Sequence, residues 1–65
     1  MYSVVGTKEL TGTTFARCST EDKAVRVFNY MKVEGFMGRV AIIQDDIAPD
    51  LPIDTLRIGE QVISV

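Results

Sequence analysis

Four aspartates, Asp45, Asp46, Asp50 and Asp54, fall within the stretch QDDIAPDLPID. Carboxylates this dense are the donors that calcium or magnesium takes. Calcium loops, however, set their ligands at alternating positions around a glycine, and this stretch has neither. Pro49 and Pro52 hold the residues before them, Ala48 and Leu51, extended and stiffen the segment. It reads first as a rigid, solvated connection whose aspartates bond local backbone amides. An acidic patch of Asp45, Asp46 and Asp50 that docks a basic partner is a second reading. A small metal-dependent enzyme using the Asp45–Asp54 loop is a third.

Other reactive groups are few. Cys18 stands just before a helix start, where the helix dipole lowers a thiol pKa. It has no histidine base and no second cysteine. It therefore reads, with Ala16, as a small buried residue beneath a helix. With no histidine, Ser-His-Asp and Cys-His catalysis and the usual zinc sites drop out. The five glycines are dispersed and build no phosphate-binding loop. No catalytic residue, metal or cofactor is expected, and the chain is read as non-enzymatic.

Binding is better supported. Arg26, Asn29, Tyr30 and Val33 recur at i, i+3, i+4 and i+7 on the outer side of a helix. Tyr and Arg are the types enriched at binding hot spots. Isolated exposed apolar residues are common, so a plain solvated face competes with that reading. A nucleic-acid module using a sheet face is the alternative function. It needs aromatics interleaved with basic residues, and Tyr2, Phe15 and Arg17 are the only candidates. The isoelectric point near 4.8 and the scattered Lys and Arg residues make nucleic acid a poor fit.

The elements that hold these residues follow from pattern. YSVVGT at 2–7 and TTFARC at 13–18 read as strands joined by a turn at 10–13, where Gly12 is free to take a positive φ. A helix is expected over about 20–34. Ser19 is its N-cap, Asp22 closes a weak capping box, and Gly35 ends it. Ala24, Val27, Phe28 and Met31 form its core stripe, and Asp22 and Arg26 an i, i+4 pair. RVAIIQ at 39–44 reads as a central strand buried on both faces and bounded by Gly38, and TLRIGEQVISV as a last strand in two short pieces with a bulge or kink between them at Gly59.

Residues 1–65 thus read as a single α+β domain, β-β-α-β-β, with a single-layer antiparallel sheet in the order 2-1-3-4. A small open β-barrel with one helix is the alternative. A chain of 65 residues buries little apolar surface and has no disulfide to help. Its strands are apolar on both alternations, more than one helix can cover. These links predict a homodimer, with Val62, Ile63 and Val65 at the interface and Tyr2 or Val5 nearby. The function expected is that of a regulator or inhibitor that docks on a larger protein or on its own copy. No signal segment or membrane-spanning run is visible, and a lone thiol fits a reducing, cytoplasmic setting.

Overall fold

The computed structural model of the chain describes residues 1–8, 12–34 and 40–65, Lys8 by its backbone. Strands β1 (Tyr2–Lys8) and β2 (Gly12–Cys18) pair antiparallel over their whole length, from Tyr2 opposite Cys18 to Lys8 opposite Gly12. Gly12 enters β2 with φ 76°, the left-handed value that glycine adopts without strain. Leu10 and Thr11 of the expected turn, and Gly35, Gly38 and Arg39, lie outside the described residues.

Helix α1 (Glu21–Val33) begins at Thr20, whose extended backbone and side-chain oxygen cap it by accepting from the Lys23 N–H at 3.3 Å. This corrects Ser19 as the cap. The Ser19 N–H and hydroxyl are both turned onto Asp54 Oδ1, at 2.8 and 2.9 Å, so Ser19 cannot serve the helix. Glu21 and Asp22 stand in the first turn, where the helix dipole favours a negative charge. The closing residue is Glu34, whose N–H donates to the Tyr30 carbonyl at 3.0 Å. Ala24, Val27 and Met31 are buried as their spacing requires, whereas Phe28 is half-buried at the core margin. The Asp22–Arg26 ion pair does not form.

Strand β3 (Val40–Ile43) pairs with β1, β4 (Thr55–Ile58) pairs with β2, and β5 (Gln61–Ser64) pairs with β4. All pairings are antiparallel, and the sheet order is β3-β1-β2-β4-β5, an open sheet in an α+β fold. The expected adjacency of β2, β1 and β3 is present, but β3 is an edge strand with Ala41 and Ile42 exposed rather than a central strand buried on both faces, because β4 pairs with β2 and leaves its outer side uncovered. The fourth strand, however, lies beside β2 rather than β3, and the chain does not close into a barrel. The 44–54 segment is long enough to allow this path. Three inter-strand steps span about 14 Å, well within the roughly 36 Å that eleven extended residues cover.

Gly59 does more than kink the last strand. With φ 61° it takes the first central place of a two-residue loop between Ile58 and Gln61, the position that type II′ hairpin turns give to glycine. One expected strand is therefore two.

The helix lies across β3, β1 and β2. Val4, Ala16, Cys18 and Leu56 meet Ala24, Val27 and Met31 in the core, with Tyr2, Val40, Ile58 and Val65 at its margin. The small residues Ala16 and Cys18 let the helix settle close to the sheet. Each of the larger buried side chains contributes roughly 1.5–3 kcal/mol. On the other face, Ala48 and Leu51 are buried and Ser3 is fully covered. The proline segment therefore roofs part of the face that one helix cannot reach. That removes part of the open apolar surface which the strand pattern implied.

Candidate interaction surface

The aspartates sort by what holds them. Arg17 projects from β2 on the face away from the helix. Its Nε and Nη2 donate to the two carboxylate oxygens of Asp46, each at 2.8 Å, and its Nη1 donates to the Leu51 carbonyl at 2.9 Å. This bidentate fork fixes the segment by both charge and geometry. The Arg17 hydrogen bonds hold the Asp46 carboxyl below the usual carboxylate range. Ser3 Oγ donates to the Asp45 carbonyl at 2.7 Å and accepts from the Ile47 N–H at 3.2 Å. Asp45 Oδ1 accepts from the Asp46 N–H at 2.8 Å, the local bonding its residue type favours.

Asp54 is the second anchor. Its φ of 61° is left-handed, a conformation that aspartate tolerates better than most residues. Lys23 Nζ reaches Asp54 Oδ2 at 2.9 Å from the helix, and Ser19 bonds both carboxylate oxygens. Lys23 first, then the Ser19 N–H, hold this carboxyl down at about 2. Asp50 is 77% exposed, with its carboxylate 4.0 Å from Arg57. Among the described residues no three acidic or thiol side chains gather as metal ligands would. Of the proposed acidic docking patch, Asp46 is taken up by Arg17, while Asp45 and Asp50 are exposed.

Cys18 is fully buried in the core, and burial, then the nearby Asp54 charge, push its thiol pKa up. It sits where an inert core residue belongs. Phe15 and Arg17 do share the back face, but the Arg17 guanidinium is already matched to a carboxylate.

Because α1 lies across β3, β1 and β2, strands β4 and β5 project beyond it. The step leaves a groove of about 390 Å³ lined by Arg26, Val27, Tyr30, Leu56, Ile63, Ser64 and Val65. Two sets of residues that the sequence places apart meet here: Arg26 and Tyr30 from the helix, and Ile63 of β5 with Val65 just after it. Helical geometry explains the split within the helix set. Arg26 and Tyr30 flank Val27 on the β4–β5 side, while Asn29 and Val33 turn outward, Val33 being 84% exposed. Val62 lies on the opposite face of β5, 48% exposed. The strand is a sheet edge, and its run QVIS carries no charge. Tyr2 and Val5 do not stand near it, since β2 and β4 separate β1 from β5.

The groove was not legible in the sequence, because it is a consequence of where the helix sits on the sheet. Its lining was legible only in part, through Arg26 and Tyr30 on the helix and Ile63 and Val65 near the last strand. Among the described residues no helix is long and apolar enough to cross a membrane. No family model matches this chain, and no curated protein or solved structure matches it either.

Proposed function

We propose that this chain is a non-enzymatic protein-binding module, and that it regulates a partner by docking through the groove between α1 and β5. The observation that carries the reading is the convergence of Arg26, Tyr30, Ile63 and Val65 on one apolar groove beside an unpaired strand edge. Its volume lies in the range of sites that take side chains or small ligands. Its lining follows the pattern of a docking site: an apolar floor of Val27, Leu56 and Ile63, a tyrosine wall, and one cation at the rim. Ile63 and Tyr30 are both exposed, so apolar surface on this side is open to a partner.

Capture from an extract of the native host, read by mass spectrometry, tests this. The wild type should retain a specific protein that Tyr30→Asp and Arg26→Glu variants release. Tyr30 at such a site is worth about 2 kcal/mol or more of binding. Both changes fall at exposed positions, so the fold should survive them. Retention of the same proteins by wild type and variants alike would remove the groove from the account.

A further inference from the structure

Resting on that reading of the β5 side, we infer that the edge of β5 receives a second copy of this chain, joined β5 to β5 in an antiparallel pair centred on Ile63. Val62 and Ile63 are adjacent, exposed at 48% and 38%, and lie on opposite faces of one strand. A body docking on either face would cover one of them. A strand lying in the plane of the sheet flanks both.

The β4–β5 hairpin settles which backbone groups are free. Its two-residue loop makes Ile58 and Gln61 a hydrogen-bonded pair, and bonded and non-bonded pairs alternate from there. The Val65 N–H bond to the Asp54 carbonyl, at 3.0 Å, confirms the phase. Gln61, Ile63 and Val65 therefore turn their backbone groups toward β4. Val62 and Ser64 turn theirs outward, to the open edge.

Symmetry then selects the register. Opposite residues in an antiparallel pair point to the same face, so a two-fold axis normal to the sheet must pass where a residue faces its own copy. Centred on Ile63, Val62 faces the partner's Ser64, and Ser64 faces the partner's Val62. Every outward N–H and C=O of β5 is then paired. Centred on Val62 or on Ser64, only that residue's groups are paired within the two strands. Charge agrees with self-pairing. A two-fold sets a strand against itself, so a charged edge would meet its like, and Gln61–Ser64 carries none. Nor does it carry the lysine or proline with which sheet edges are commonly blunted. The other edge, β3, packs against α1, whereas β5 lies beyond the helix. Two five-stranded sheets would join into one, with both helices on the same face.

Sedimentation equilibrium of the full chain at tens of micromolar should give twice the 7.2 kDa monomer mass. A monomer throughout would overturn the inference. Ser64→Pro removes an outward N–H without touching the ladder to β4, so it should give a folded monomer. A folded Ser64→Pro that still dimerises would also overturn it. Oxidised glutathione should link Ile63→Cys into a disulfide dimer, because facing Cα atoms in a non-bonded pair lie about 4.5 Å apart. Val62→Cys should stay unlinked, its two copies lying beyond the roughly 7 Å that a disulfide spans. Cys18, fully buried, does not compete. The reverse linking pattern would reject the Ile63-centred register. A wild-type monomer that still captures a host protein through the groove would sink this inference and leave the docking function standing. A dimer that captures nothing would do the opposite.

Discussion

Asp54 joins three things at one residue: a left-handed backbone, a bond to the helix approach at Ser19, and an ion pair with Lys23. Its carboxyl is held at about 2, below the ordinary 3.8. A carboxyl whose pKa is lowered by folding stabilises the fold above its unfolded pKa, and that contribution fades as pH falls through the folded value. Asp46, lowered by Arg17, acts in the same direction. The thermal midpoint should therefore fall between about pH 4 and pH 2, and Asp54→Asn should flatten part of that fall. An identical acid profile in the variant would show that Asp54 contributes nothing. Core residues divide differently from their sequence pattern. Met31 is fully buried, so Met31→Ala should cost about 2–5 kcal/mol. Phe28 is only half-buried, with Lys32 Nζ 5.4 Å from its ring centroid, so Phe28→Ala should cost less than a core phenylalanine would. Chemical denaturation of the two variants checks the order.

The element most informative about the limits of sequence reading is the segment from Gln44 to Asp54. The local backbone bonding expected of its aspartates is found at Asp45, whereas Asp46 and Asp54 are held by residues distant in sequence. Its path across the sheet is not legible, because it depends on a pairing between Arg17 and Asp46 across 29 positions. That path places β4 beside β2 and defeats the expected strand order. By contrast, the helix and the pairing of β1 with β2 are local patterns and are read correctly to within a residue or two, and the apolar stripe holds at Ala24, Val27 and Met31 but not at Phe28. Gly59 lay between, since a glycine in a strand reads equally as a kink or a full turn. If Arg17 pins this segment, Arg17→Met should lower the thermal midpoint and speed amide exchange at Leu51. Millimolar calcium or magnesium should leave the midpoint of the wild type unchanged, since Asp46 and Asp54 already have protein partners. A rise of several degrees, abolished by chelator and by Asp46→Asn, would reinstate a metal site.

At the scale of the whole molecule, the protein solves its small size by covering the sheet unevenly. The helix covers one face over β3, β1 and β2, and the proline segment roofs part of the other, while β4 and β5 extend past the helix. The groove and the bare edge are two results of that single offset. The groove could not be read from residue types, whereas the uncharged last strand is of a kind that suits the edge it occupies. The central claim is that partners join at β5, and amide hydrogen exchange measures this residue by residue. When the chain associates, the outward amides of Val62 and Ser64 should slow together, while those of Gln61 and Ile63, already bonded to β4, should change little. Association that leaves Val62 and Ser64 exchanging as fast as in the dilute monomer would contradict it.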